Sequence, residues 1–174
     1  EDIRSALASF IPSSNQTPGR LNFFHFRQFT MLADFAHNPH GLRLLVDFIS
    51  KLDYPYKVGV ISGTGDRRDD DIRELARISA NFFDEIIIRC DKNLRGRSAE
   101  EIIGLLEEGI AEVKPDMPVL VIQNENEALE YVYKNYKPGA LYTVLCDVVS
   151  GALDKIKELK ERDEKSAVSG PRHL

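Results

Sequence analysis

Hydrophobic and polar positions alternate in a regular way along most of the chain. "RLNFFHF" (20–26) and "FTMLADFA" (29–36) are apolar runs parted by a polar step at Arg27 and Gln28, which predicts a hairpin and one antiparallel edge. "YKVGVIS" (56–62), "DEIIIRC" (84–90), "MPVLVIQ" (117–123) and "ALYTVLCD" (140–147) are short continuous apolar runs, as expected of strands buried on both faces. Helical spacing fills the gaps, in "HGLRLLVDFISKL", "DDDIRELARISANFF", "SAEEIIGLLEEGIAEV", "ENEALEYVYKNY" and "VVSGALDKIKELKE". Asn38 before Pro39 suits a helix opening, and Ser98 with Glu101 has the form of a capping box. The alternation predicts βαβ crossovers and an α/β fold built on a mostly parallel, doubly wound sheet with one antiparallel edge strand.

The ends read differently. "EDIRSALASF" places Ile3, Leu7 and Phe10 on one side of a short helix and begins without methionine, as a piece of a longer protein would. Apolar residues stop after Leu159, so residues 1–160 are expected to form the domain and 161–174 a disordered tail.

Composition narrows the classes. A chain of 174 residues with 43% hydrophobic content fills one core. Its net charge of −5, with signs mixed throughout, gives no reason to expect a nucleic acid, while local sites for small anions stay open. Cys90 and Cys146 each end an apolar run and read as buried free thiols in a reducing compartment. No apolar run approaches the ~20 residues that span a bilayer, and no signal peptide is visible. The expected location is the cytoplasm, with no membrane partner.

Four polar clusters stand where a strand ends and a helix begins: "DFAHNP" (34–39), "SGTGDRRDD" (62–70), "RCDKNLRGR" (89–97) and "CDVVSG" (146–151). In a parallel sheet those ends share one edge, where open α/β sheets bind ligands. Asp34, His37 and Arg67 are therefore expected to face a common exposed groove. Each cluster also has a structural explanation. Asp34 suits the start of a helix, His37 a turn, Gly63 and Gly65 a tight bend, and Asp66 or Asp69 a helix cap. The arginines suit a solvated surface. Yet Arg89, Asp91, Lys92, Arg95 and Arg97 around Gly96 put more charge into one loop than a connector needs, and guanidinium groups match carboxylates and phosphates.

"QTPGRLNFFHF", "DFAHNPHGL" and "ISGTGDRRDDDIREL" together resemble the carboxyl-terminal domain of the Mur ligases and folylpolyglutamate synthetases, with their P-G-R, D-x-A-H-N-P and G-x-G-D-R-x elements. "EIIIRCDKNLRGRSAEEI" most resembles the Mur-ligase-like terminal region of the cyanophycin synthetases. The resemblance covers about residues 2 to 160. It implies a three-layer, Rossmann-like domain of an ATP-dependent ligase that forms an amide bond through an acyl phosphate. It also implies ATP and Mg2+ as cofactors, with the phosphate loop and metal ligands in upstream domains of the same polypeptide and no metal ligand in this chain. The implied amine is arginine and the implied acceptor is the aspartate β-carboxyl of a poly-aspartate.

Carried over residue by residue, the resemblance gives Asp34 to the ribose hydroxyls and His37 and Asn38 to the nucleotide. Arg20 becomes a second anchor, Asp66 and Arg67 line the same cleft, and Arg89, Asp91 and Arg95 lie nearer the amine. The chain departs from Mur ligases that hold a diamino acid through D-N-P-R, having "RCDKNLRGR" instead. For a free arginine, Asp91 with Asp66 or Asp69 would supply the carboxylates facing its guanidinium. The chain has no G-x-x-x-x-G-K-[ST], so alone it is expected to be inactive, with no catalytic residue assigned to it. A nucleotide-binding or regulatory module without ligase chemistry is the alternative. A dinucleotide-binding dehydrogenase domain fails on its own fingerprint, since no G-x-G-x-x-G follows the first strand.

Overall fold

The computed structural model describes residues 16–168, so the helical pattern of residues 1–10 and the tail from 169 onward lie outside the described residues. Six strands and five helices follow in order: β1 (Asn22–His25), β2 (Thr30–Asp34), α1 (Pro39–Ser50), β3 (Lys57–Ile61), α2 (Asp69–Phe82), β4 (Glu85–Ile88), α3 (Ala99–Ala111), β5 (Val119–Val121), α4 (Glu125–Asn135), β6 (Leu141–Leu145) and α5 (Val149–Val168).

The strands form one sheet in the order β1-β2-β6-β3-β4-β5, with β1 antiparallel to β2 and the other pairs parallel. This is the expected doubly wound α/β sheet with one antiparallel edge. Period-two alternation persists even inside the buried strands. Leu32, Ile61, Ile86, Ile88, Leu141 and Leu145 face the layer containing Leu42, Ile72 and Ile102 of α1, α2 and α3. Met31, Ala33, Val60, Ile87, Tyr142 and Val144 face Leu129, Leu153 and Ile156 of α4 and α5. Three layers result, each side of the sheet sealed by helices.

Helix starts follow local chemistry. The Asn38 side-chain oxygen accepts from the Gly41 amide at 2.8 Å with Pro39 in the first turn, and Ser98 Oγ accepts from the Glu101 amide at 3.1 Å. α2 differs from expectation. Arg68 stands at its cap without a side-chain capping bond, its guanidinium pairing with Asp71 instead, and Asp69, Asp70 and Asp71 meet the positive helix end as first-turn charges. β5 differs too, being three residues long and half-exposed at the sheet edge rather than buried on both faces.

α5 runs through residues 161–168, where a disordered tail was expected. The reason is lateral anchoring that apolar periodicity does not reveal. Asp163 is buried and accepts from the Arg27 backbone amide at 2.9 Å and from Arg27 Nε at 3.1 Å, tying α5 to the β1–β2 hairpin. Arg162 pairs with Glu130 of α4 at 2.8 Å and lies over the Tyr133 ring. The hairpin itself is wedged by Phe26 stacked on Phe29 and Phe29 on Tyr136. Asp163→Ala is expected to lower stability by about 1 kcal/mol, since it removes the acceptor of a partly buried amide and of Arg27 Nε. Amide hydrogen exchange should accelerate over residues 161–168, and unchanged exchange there would refute the anchoring.

Candidate functional site

The register sets the loops that follow the parallel strands at one level: Asp34 lies beside Leu145, Val60 beside Val144 and Ile61 beside Ile88. Two recesses open along this edge, not one. β6, last in the sequence, sits between β2 and β3 and holds the ends of those strands apart by two interstrand spacings, about 10 Å.

The first recess, of about 450 Å³, is lined by Arg20, Asp34, His37 and Asn38, with Leu44 and Phe48 forming an apolar wall. Leu44 and Phe48 are the exposed side of α1. Asp34 is 7% exposed, and its Oδ2 accepts from the Leu21 amide at 2.9 Å, so this carboxylate anchors the P-G-R turn against β2. It lies ahead of α1 and does not cap it. The turn is tightened further by Asn22, whose side chain accepts from Gly19 N and donates to the Thr17 and Arg20 carbonyls. Arg20 is thereby set over the Phe35 ring, its guanidinium 5.5 Å from the centroid. His37 Nδ1 lies 3.0 Å from the Phe35 carbonyl. A carbonyl only accepts, so Nδ1 carries a proton.

The second recess has a narrow part and a wide part. The narrow part, about 70 Å³, is lined by His37, Ser62, Thr64, Arg67, Asp91 and Arg95 among others. The wide part, about 320 Å³, lies between the carboxyl ends of β4, β5 and β6 and is lined by Asp91, Lys92, Asn124, Glu125 and Asp147 among others. Arg89 borders both parts and is 1% exposed. Its Nη1 meets Asp91 Oδ1 at 2.8 Å, its Nη2 donates to the Leu145 carbonyl, and its Nε lies 3.1 Å from Glu125 Oε2. That last contact is an ion pair without hydrogen-bond alignment. Ser62 Oγ donates to Asp91 at 2.5 Å. Burial raises the Glu125 carboxyl above its ordinary value, Arg89 and a hydrogen bond from the Asp147 backbone oppose the shift, and the Asp147 and Asp91 charges add to it. Burial also pushes Cys146 up to about 12 and raises Cys90, so neither thiol is a nucleophile at neutral pH. Both are free, and Cys90 is only partly buried, contrary to expectation.

The 62–70 and 89–97 loops are fastened to each other. Arg97 Nε donates to the Gly65 carbonyl and Nη2 to the Arg67 carbonyl, both at 2.9 Å, while Nη1 meets Asp69 at 2.7 Å and Glu101 at 3.0 Å. A methyl group at Gly65 would overlap the Leu94 carbonyl oxygen, and one at Gly63 would lie 2.8 Å from Ile102 Cγ2. Close loop packing thus explains Gly65, and packing against Ile102 and Ile72 of the helices explains Gly63. Arg95, at φ +50° beside Gly96 at +91°, is turned toward Asp66, 2.8 Å from its carboxylate.

The structure regroups the expected residues. Arg20, Asp34, His37 and Asn38 come together, although the Asn38 side-chain oxygen is engaged as a cap. Arg67 does not share a groove with Asp34. It lines the narrow part of the second recess with Asp91 and Arg95, and only His37 and its neighbours Phe35 and Ala36 reach both recesses. Asp66 lines neither recess and pairs with Arg95, while Asp69 pairs with Arg97, so neither supplies a carboxylate to the wide part. Arg89 is buried, a framework cation. Glu125 was missed, while Ser62, Thr64 and Asp147 fell within the 62–70 and 146–151 clusters without being given a role of their own. The signal for the two acids was faint: each stands just beyond an apolar run, at Glu125 and Asp147. Among the described residues, no group of three or more His, Cys, Asp or Glu could hold a metal ion, and no helix is long and apolar enough to cross a membrane.

Residues 19–149 match the model of the family described as Mur ligase, glutamate ligase domain. The chain belongs to the Mur ligase family. This Mur ligase domain is 39% identical over 160 residues to cyanophycin synthetase of Synechocystis sp., covering 92% of the chain and 18% of that protein. It is 37% identical over 158 residues to cyanophycin synthetase of Geminocystis herdmanii, covering 91% of the chain and 18% of that protein. The chain thus spans less than a fifth of the length of these relatives. Among solved structures, a UDP-N-acetylmuramoyl-L-alanyl-D-glutamate–2,6-diaminopimelate ligase superposes with TM-score 0.72 at 15% identity, over 92% of this chain and 34% of that one. Folylpolyglutamate synthase of Mycobacterium tuberculosis, complexed with ADP and AMPPCP, gives 0.64 at 21% identity, over 88% and 34%. Both likenesses show the fold of this Mur ligase domain.

Burial raises the Asp34 carboxyl above its ordinary value of 3.8, outweighing the Leu21 amide and the Arg20 charge. The folded state therefore holds this proton more tightly than the unfolded chain. That stabilisation is complete below the ordinary value and is lost as pH rises through the folded value. Asparagine keeps the acceptor for Leu21 without the charge. Asp34→Asn is expected to gain stability relative to the parent as pH rises from about 4 to about 7, measured as urea midpoints. A loss that grows as pH rises would show instead that the charge itself secures the turn.

Proposed function

We propose that the chain is the terminal domain of an ATP-dependent ligase that joins a carboxylate to an amino-acid amine, arginine added to the β-carboxyl groups of a poly-aspartate. The observation that carries this reading is the pair of adjoining recesses meeting at His37, one suited to a nucleoside and the other to a charged amino acid. The likeness to the cyanophycin synthetases supports the choice of substrates.

The residues of the first recess fit a nucleotide. A carboxylate has four lone-pair directions, so Asp34 retains acceptor capacity beyond the Leu21 amide for two vicinal ribose hydroxyls. Leu44 and Phe48 offer apolar area to a flat ring, and Arg20 a cation toward phosphate. When bound, ATP supplies the phosphoryl group that converts the acceptor carboxylate into an acyl phosphate, the amine then displacing phosphate. Mg2+ and the phosphate loop belong, in this reading, to other parts of the polypeptide. This domain closes over the nucleotide, excludes water and orients the amine. Asp91 and Arg95 face the amine substrate, and Arg89 holds Asp91 in place from below.

Positioning of this kind supplies most of the rate in phosphoryl transfer. The 174-residue chain alone should therefore hydrolyse no ATP above background, and measured turnover would refute the division of labour. In the whole ligase, Asp34→Asn is expected to raise the KM for ATP at least tenfold with the KM for arginine little changed. An unchanged ATP dependence would leave Asp34 as a turn anchor alone. Arg95→Ala should raise the KM for arginine about tenfold, as a lost charge-assisted contact of 1.5–3 kcal/mol would. If Arg95 serves only its exposed pair with Asp66, stability would shift by less than about 1 kcal/mol and the KM would stay where it was.

A further inference from the structure

An amide bond forms where an activated carboxylate and an amine meet, and one ionisable side chain stands where the two recesses join. Phe35, Ala36 and His37 line both the first recess and the narrow part of the second, and of these only His37 can exchange a proton. Its ring is half-buried and leans on Phe35, the ring centroids 4.6 Å apart. Nδ1 donates to the Phe35 carbonyl, so the neutral ring keeps its lone pair at Nε2. Nε2 has no hydrogen-bond partner among the described residues. The other bases near this junction are engaged or stand away from it. Asp34 borders only the first recess and holds the Leu21 amide. Asp91 takes both Ser62 and Arg89 on its Oδ1. Glu125 borders only the wide part, against Arg89, and Asp147 lines the second recess alone. Cys146 is 3% exposed, and burial pushes its thiol up to about 12, so it keeps its proton at neutral pH.

From this layout we infer that His37 Nε2 accepts the proton of the attacking amine, which makes His37 a catalytic residue and not a nucleotide contact alone. The inference rests on the ligase reading above and adds to it the acid–base step. The amine enters as an ammonium ion and loses one proton to water before it attacks. Its nitrogen lone pair forms the C–N bond at the acyl carbon, and the carbonyl π pair moves onto oxygen. The nitrogen, now positively charged, gives one proton to Nε2. The oxygen pair then re-forms the carbonyl, the C–O bond to phosphate breaks, and phosphate leaves with that bonding pair. The imidazolium returns its proton to water. Throughout, the Nδ1 bond to the Phe35 carbonyl fixes the tautomer, and it strengthens as the ring takes up charge. General-base help of this kind is worth about 10²–10⁴-fold in rate.

Hydroxylamine separates this role from a structural one. It is largely uncharged at neutral pH, and its adduct is acidic enough to lose a proton to water, so it needs no base from the protein. The whole ligase, as parent and as His37→Asn, is given ATP and a poly-aspartate acceptor. The amine is hydroxylamine or the amino acid that the parent uses fastest, arginine by the reading above. Asparagine keeps an N–H for the Phe35 carbonyl and removes the base. His37→Asn should lower kcat with the amino acid by about a hundredfold or more, but hydroxamate formation by less than about tenfold. The Kd for a non-hydrolysable ATP analogue should stay within about twofold of the parent and the thermal melt within a few degrees. His37→Gln, measured in parallel, should give the same split. Equal losses with both amines, or weaker binding of the ATP analogue with kcat preserved, would overturn the assignment and leave the ligase reading standing. If no amino acid stimulates phosphate release by the parent, the ligase reading fails and the assignment falls with it.

Discussion

The working edge of this domain depends on one buried guanidinium. Arg89 closes β4, and its head group joins three parts of the chain that are distant in sequence: the Leu145 carbonyl at the end of β6, Asp91 in the loop after β4 and Glu125 in the first turn of α4. A charge removed from water this completely is tolerable only when paired and hydrogen-bonded, and removing one partner of such a set is far more damaging than never having built it. Arg89 fixes the spacing between the ends of β4 and β6, and with it the width of the recess above them.

Around that centre the loops are held stiffly. Arg97 laces the 62–70 loop to the 89–97 loop through two carbonyls, and the absence of a side chain at Gly65 lets those loops approach closely. Ser62 is brought onto Asp91 by this approach. On the far side of β6, Asp34 performs the matching task for the P-G-R turn. Each recess thus has a buried ionic residue beneath it, one anionic and one cationic, and His37 stands where the recesses meet. At the opposite edge of the sheet Lys137 bridges Tyr56 and Glu85.

Much of the fold was legible because its causes are local. The hairpin, the four apolar runs and the helices between them follow from periodicity and capping chemistry, and Asn38 and Ser98 stand at helix starts as their side chains predict. The misses have long-range causes. Nothing local tells that β6 inserts between β2 and β3, and that insertion divides one expected groove into two recesses. Residues 161–168 looked too polar to be ordered, yet their order comes from Asp163 reaching Arg27, a pairing across 136 positions. Arg89 read as an accessible arginine since burial of a charge depends on partners elsewhere in the chain. Glu125 went unnoticed, and Asp147 received no role within its cluster, because a lone acid at a strand end is ordinary until topology puts two of them around one cavity. Asp66 and Asp69 were credited with a role that Arg95 and Arg97 already occupy.

The central claim is that two ligands occupy two recesses on this edge, divided at His37. A crystal structure of the whole polypeptide with a non-hydrolysable ATP analogue and arginine tests it most directly. The account predicts the ribose against Asp34 and the arginine in the recess over Arg89, beside Asp91 and Arg95. Nucleotide seated in the recess over Arg89, or arginine bound beside Asp34, would contradict it.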